Sequence, residues 1–232
     1  MEMISYKIVF LGTMIGVLPF VFWFFLLKKR KITADWDFNF ILLVIFIGVL
    51  SAIPASLLQI FFIETGSGVM AESSSSAIIP LLLFSLVEEF SKGLGIFFIA
   101  KKKLGQFAGN GILIGIFVGL AFAITENGVY FSNLIKSQSD ILWQIVLLRF
   151  IISTTAHIVY SGLMGYFIQK IIFAKNAKFF FVLGAGVIPF LIHFLFNYFL
   201  EIDYSWLSVL IIFVGIFFLF NFHTKDKQTI YE

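Results

Sequence analysis

Apolar runs of roughly 20 residues, broken by short polar stretches, recur along the whole chain. They fall at about 6–27, 39–62, 77–100, 109–132, 142–171, 179–200 and 206–221. A hydrocarbon layer of about 30 Å is crossed by a helix of about 20 residues, so each run is long enough to span it. Helix is required, because lipid offers an open backbone no hydrogen-bond partner. The pattern predicts an all-α, polytopic membrane protein, a bundle of about seven transmembrane helices. No internal repeat or second domain is visible, so residues 1–232 read as one membrane-embedded domain. Seven spans also do not divide into a simple even-numbered inverted repeat.

The basic residues give the expected direction of threading. Lys28, Lys29, Arg30 and Lys31 follow the first run, and Lys101, Lys102 and Lys103 follow the third. Lys170, Lys175 and Lys178 lie between the fifth and sixth, and Lys225 and Lys227 follow the seventh. All fall on one side if the chain threads up and down. The positive-inside rule makes that side cytoplasmic, with the N-terminus outside and the C-terminus cytoplasmic. The first run leads into KKRK with no small-residue cleavage site, so it reads as a retained span. Ser73–Ser76 reads as a flexible outer loop.

Composition supports lipid as the solvent. The 232 residues are 60% hydrophobic and 12% charged, against about 45–50% and about 25% in soluble domains. A mean hydropathy of +1.04 leaves too much Phe, Ile and Leu for a water-soluble fold to hide. The net charge of +3 is spent on the lysine clusters and gives no reason to expect a nucleic acid partner. There is no cysteine, which excludes disulfides, thiol nucleophiles and thiolate metal sites.

Against that apolar background a few side chains are out of place. Glu88 and Glu89 lie inside the third run, Glu126 inside the fourth, His157 inside the fifth and His193 inside the sixth. Ionisable groups at membrane depth are expensive and usually face a bundle interior or a water-filled cavity, where they mark function. Glu88 and Glu89 stand four and three residues before Lys92, so either can pair with it on a helix. Gly111, Gly115 and Gly119 form a small-residue row that lets another helix approach closely, and Glu126 follows two turns later. Arg149, Ser153, His157, Ser161 and Gly165 recur every fourth residue, a polar and small stripe that reads as a packed or hydrated face. His193 and Asn197 share a face one turn beyond Pro189, where a kink is expected. At about 1.5 Å per residue, Glu88 lies about 17 Å and His193 about 10 Å below the outer edge of its span, which suggests a site in the outer half of the membrane.

The known chemistries for cutting a peptide bond narrow quickly. No Asp lies within a span, and neither G-x-S-x-G nor H-E-x-x-H occurs. The remaining set is Glu88, Glu89, Glu126, His157, His193 and Asn197, with Lys92, Asn127 and Arg149 supporting it. A desolvated Glu can act as general base toward water, and His and Asn can donate hydrogen bonds to a developing oxyanion. The same set could hold zinc through His157, His193 and Glu126, leaving a fourth position for water. The metal-free route is preferred slightly, with zinc kept open. Two other readings of the same buried groups stand beside the protease: a proton-coupled transporter or carrier, and a non-catalytic scaffold or immunity protein.

Four blocks carry a likeness to a known family. They are Glu88-Glu89-Phe90-Ser91-Lys92 (E-E-x-x-K), Phe122 through Asn127 (F-x-x-x-E-N) with Tyr130 following, Arg149 with His157 and the G-L-M-G-Y ending at Tyr166, and Pro189 with His193 and Asn197. In this order, over about 77–200, the chain resembles the PrsW family of intramembrane proteases, which belongs with the CAAX-processing and bacteriocin-immunity type proteins. The family often has Asp where this chain has Asn197, which favours a hydrogen-bond donor there. The resemblance implies an endopeptidase of the bacterial plasma membrane that cuts a membrane-anchored, anti-sigma-factor-like protein on its outer side. It also implies roles: Glu88 activating water beside Glu126 and His157, Glu89 pairing with Lys92, and His193 and Asn197 stabilising the oxyanion.

Overall fold

The apolar runs become helices whose ends fall where the polarity changes. The computed structural model describes residues 6–29, 36–64, 74–103, 111–173 and 178–230. In chain order the helices are α1 (Tyr6–Lys29), α2 (Phe38–Ser51), α3 (Ile53–Glu64), α4 (Ser74–Lys103), α5 (Gly111–Lys136), α6 (Leu142–Leu148), α7 (Thr154–Phe173), α8 (Lys178–Glu201) and α9 (Ser205–Ile230). A π turn, Arg149–Ser153, joins α6 to α7. Since α2 runs on into α3 and α6 into α7, these make seven rods among the described residues, the architecture predicted. Six stretches among the described residues are long and apolar enough to cross a membrane. The remaining rod, α4, has 30 residues and carries Glu88, Glu89 and Lys92 in its middle. The protein is a polytopic membrane helical bundle.

Local chemistry explains the boundaries. Asp37 caps α2, its carboxylate accepting from the Phe40 amide at 2.7 Å. The α2–α3 break at Ala52 precedes Pro54, which cannot donate to the carbonyl one turn back and disfavours helix in the residue before it. Pro189 is carried inside an unbroken α8. The serine-rich stretch is corrected: Ser74 begins α4, so Ser74–Ser76 are helical, and Ser73 lies outside the described residues. Arg30, Lys31 and Lys175 of the basic clusters also lie outside them.

One helix is the axis. In α5, 72% of the apolar window is inside the bundle, against 22–28% in the other five stretches. Its glycine row is the reason. A Cβ on Gly111 would sit 2.5 Å from the Gly165 carbonyl oxygen, on Gly115 1.9 Å from that of Ser161, and on Gly119 2.4 Å from that of His157. The α5 and α7 backbones therefore touch, and they run antiparallel. On the other side of α5, Gly12 and Gly16 of α1 close on Ser132 and Gly128. Trp36, Phe40 and Val44 pack with Phe117 and Val118, and Tyr160 and Leu163 pack with Phe196 and Ile212. Phe10, Phe25, Phe46, Phe98, Phe213 and Phe217 point outward, which only a lipid surround makes favourable.

The register pairs also fix which ends share a face. The turns at 137–141 and 202–204 lie at one end, and Lys28, Lys29, Lys101, Lys102 and Lys170 at helix ends on the other.

Candidate active site

The third rod contributes two carboxylates with different company. Glu89 is 2% exposed and pairs with the Lys92 ammonium, itself fully buried. Lys92 also sits 4.4 Å over the Phe122 ring and 3.4 Å from His157 Nδ1. Of the two pairings the spacing allowed, the structure takes the one three residues apart. Glu88, one position earlier, makes no pair with Lys92 among the described residues. Its Oε2 is a buried acceptor with no donor on it among the described residues, and His193 Nε2 stands 3.8 Å from it.

Glu126 of α5 is the point of convergence. His157 Nε2 meets its Oε2 at 2.5 Å, and the Arg149 guanidinium donates to its Oε1 at 2.7 Å. Arg149 Nε donates to Asn127 Oδ1 at 2.8 Å, so one planar fork orients two neighbouring α5 side chains. The guanidinium also lies 4.3 Å from the centre of the Tyr130 ring. The π turn corrects the expected every-fourth stripe. One residue is inserted at Arg149–Ser153, so Arg149 and Ser153 fall off the register of His157, Ser161 and Gly165. Such insertions are frequent at functional sites. Here it lets Arg149 and His157 reach the two oxygens of one carboxylate from opposite sides.

From α8, His193 Nδ1 shares a hydrogen bond of 2.7 Å with Glu89 Oε1. A carboxylate behind an imidazole fixes the ring's orientation and tautomer. Asn197 makes no hydrogen bond among the described residues and borders the hollows on both sides of Glu126. Glu88, Glu89, Lys92, Glu126, Asn127, Arg149, His157, His193 and Asn197 therefore lie in one place, on four rods.

Glu88, Glu126 and His157 present one ligand atom each, all within 4.8 Å of one another. Two carboxylate oxygens and an imidazole nitrogen are a donor set that zinc accepts, and the unsatisfied Glu88 Oε2 fits a ligand role. The group shares Glu126 and His157 with the set expected, and His193, whose Nδ1 faces Glu89, brings its Nε2 to 3.8 Å from Glu88 Oε2 at the edge of the group.

Two contributions were missed in the sequence. The Tyr160 ring stacks on His193 at 4.8 Å between centres and meets His157 edge-on at 6.0 Å. Its signal was its place three residues after His157, on the same helix face. Thr154 accepts from Asn127 Nδ2 at 3.3 Å and donates to the Arg149 carbonyl at 3.0 Å, closing the π turn. Nothing in the apolar pattern marks a π turn.

Comparison with known proteins bears on what this cluster does. Residues 37–222 match the family described as "PrsW family intramembrane metalloprotease". The chain is 30% identical over 193 residues to "Protease PrsW" of Clostridioides difficile (strain 630), covering 82% of this chain and 77% of that one. It is 32% identical over 155 residues to "Protease PrsW" of Shouchella clausii (strain KSM-K16), covering 66% of each. No solved structure matches. The family description runs against the metal-free preference, and it sets aside the carrier and the scaffold. The family match covers most of the chain, all four motif blocks are present, and their polar groups meet inside the bundle: the chain belongs to the PrsW family of intramembrane metalloproteases, and it is a multi-pass peptide hydrolase.

Proposed function

We propose that this protease cuts a membrane-anchored, anti-sigma-factor-like protein in the outer half of the bacterial plasma membrane, at Glu88, Glu126 and His157. The observation that carries the reading is the meeting of those three groups, from three rods, within 4.8 Å. The whole chain acts as one unit, with its N-terminus outside and its C-terminus cytoplasmic. A cavity of about 490 Å³ reaches Glu126, His157 and His193 from the end bearing the 137–141 and 202–204 turns. That end carries Lys7 and Lys136 and lies opposite the larger group of Lys28, Lys29, Lys101, Lys102 and Lys170, which supports attack from outside.

Glu88, Glu126 and His157 would hold the ion, with zinc the natural choice for this donor set. When bound, such an ion polarises the amide carbonyl and makes a neighbouring water more acidic. The other steps belong to side chains. Glu88, whose Oε2 has no hydrogen-bond donor among the described residues, would hold the ion through that oxygen, and its other carboxylate oxygen takes the proton of the attacking water and returns it to the departing amine. Asn197 donates to the carbonyl oxygen as negative charge develops there. Arg149 holds Glu126 and balances its charge. Glu89, anchored by Lys92, aims His193 at Glu88.

The test is cleavage of a single-span, membrane-anchored reporter in proteoliposomes. Wild-type protein is expected to cut it, while folded Glu88→Gln and His157→Ala variants leave it whole. Normal cutting by either variant would overturn the assignment.

A further inference from the structure

Two hollows meet the reacting groups from opposite sides, and they differ in character. The smaller, about 160 Å³, lies among the α2–α3 junction, α3, α4, α5 and α8, and half its lining residues are polar, including Ser56, Glu88, Asn133 and Asn197. The larger, about 490 Å³, lies among α5, the α6–α7 rod, α8 and α9. Glu126, Tyr130 and Asn197 border both, so these three side chains form the partition between them.

The larger hollow joins Glu126, Arg149, His157 and His193 to a mainly apolar wall that includes Ile145, Leu148, Phe196, Trp206 and Val209, with Ser153 and Ser205 as its polar breaks. A dry apolar cavity of about 150 Å³ is enough to hold a benzene ring. At about 490 Å³ this one has room for a large side chain together with the backbone that carries it. The wall is incompletely packed from its outer side: α6 contributes no buried residue, and Leu148 and Trp206 are exposed. A side chain entering there would remove apolar surface on both partners from their surroundings while its own peptide group lay against Glu126 and Asn197.

We infer that the larger hollow is a specificity subsite, taking a large apolar side chain (Phe, Leu or Met) of the substrate residue next to the scissile bond. The smaller, more polar hollow brings water to Glu88 from the other side. This rests on the proposed peptide cleavage and adds what the site selects. Separation of the two routes has a chemical use, since the seated side chain closes the larger hollow and leaves the water path open. An apolar pocket discriminates by about 10–200-fold for a single methylene. A Phe or Leu is therefore expected to be favoured over Ala at that position by at least about tenfold in kcat/KM.

The experiment is digestion of a proteome-derived peptide library in detergent micelles, with new termini read by mass spectrometry. Wild-type protein is expected to show enrichment of Phe, Leu and Met on one side of the cut. Val209→Trp, which narrows the subsite without touching the reacting groups, is expected to move that preference to Ala, Ser and Gly, with cutting at small residues retained. Cutting without apolar enrichment, or a Val209→Trp profile identical to wild type, overturns the subsite and leaves the protease reading standing. An absence of Glu88-dependent cuts overturns both. A second measurement covers a Val209→Trp protein that fails to fold. Val209→Cys creates the one thiol in a cysteine-free chain. A Phe-containing product peptide is expected to slow its alkylation at least about tenfold more than the Ala analogue, and equal rates overturn the inference.

Discussion

Replacing Lys92 by Met tests what holds the Glu89 side of the site. Both members of the pair are inside the bundle, Lys92 at 0% and Glu89 at 2% side-chain exposure, so the near-zero value of exposed ion pairs does not apply. Removing one partner of a buried pair leaves an uncompensated charge and costs about 3–5 kcal/mol. The ammonium also lies 4.4 Å over Phe122, a contact of about 0.5–2 kcal/mol that is lost with it. Lys92→Met is therefore expected to lose at least about 3 kcal/mol of folding free energy. Replacing both, as Lys92→Met with Glu89→Leu, removes the stranded charge and is expected to return to within about 1 kcal/mol of wild type. Activity should not return with it. His193 Nδ1 loses the carboxylate at 2.7 Å that orients it, and loss of such an orienting partner typically costs about 10–100-fold. The assay is a denaturant titration in mixed micelles, followed by reporter cleavage on the folded fraction. A single variant within about 1 kcal/mol of wild type would refute the argument from burial, since that is surface-pair behaviour. A fully active double variant would refute the role given to the Glu89–His193 contact.

Helix contact gives a second expectation. A Cβ on Gly115 would meet the Ser161 carbonyl oxygen at 1.9 Å, whereas one on Gly186 meets nothing within 4 Å. Gly115→Ala is expected to cost about 1–3 kcal/mol by forcing α5 from α7, and Gly186→Ala to be neutral or stabilising, read by thermal unfolding in micelles. Arg149→Lys keeps the charge and loses the fork that spans Glu126 and Asn127; reporter kcat/KM is expected to fall about 10–100-fold with little change in stability. Tyr160→Phe keeps the ring stacked on His193 and deletes a hydroxyl with no hydrogen-bond partner among the described residues, so activity should persist, while Tyr160→Leu should lower kcat at unchanged KM.

Much of the fold was legible because lipid permits so few solutions. Runs of about 20 apolar residues must be helices, and each of the seven predicted spans falls on one of the seven rods, the last rod running on from 221 to 230. The glycine row of α5 announced its close partner, and that partner carries His157. The site was legible for a related reason: in an apolar chain, Glu88, Glu89, Lys92, Glu126, His157 and His193 stand out against their surroundings. Their grouping was harder. Spacing cannot say that Lys92 pairs with Glu89 and leaves Glu88 Oε2 without a donor among the described residues, or that His193 Nδ1 turns to Glu89. The π turn left no mark in the pattern, because inserting one residue into an apolar helix changes register without changing composition. Tyr160 was hidden among many aromatics whose role is packing. The serines before α4 misled because Ser is common both in loops and at helix starts.

The central claim is that Glu88, Glu126 and His157 form one ligand set for one catalytic ion. It is tested most directly by metal analysis of the purified, folded protein, paired with cleavage of the reporter after chelation and zinc return. One equivalent of zinc per chain is expected in wild type, lost together with activity in Glu126→Gln and His157→Ala and restored in wild type alone on adding zinc back. A fully active wild-type protein that carries no metal, or variants that keep a full equivalent, would contradict it.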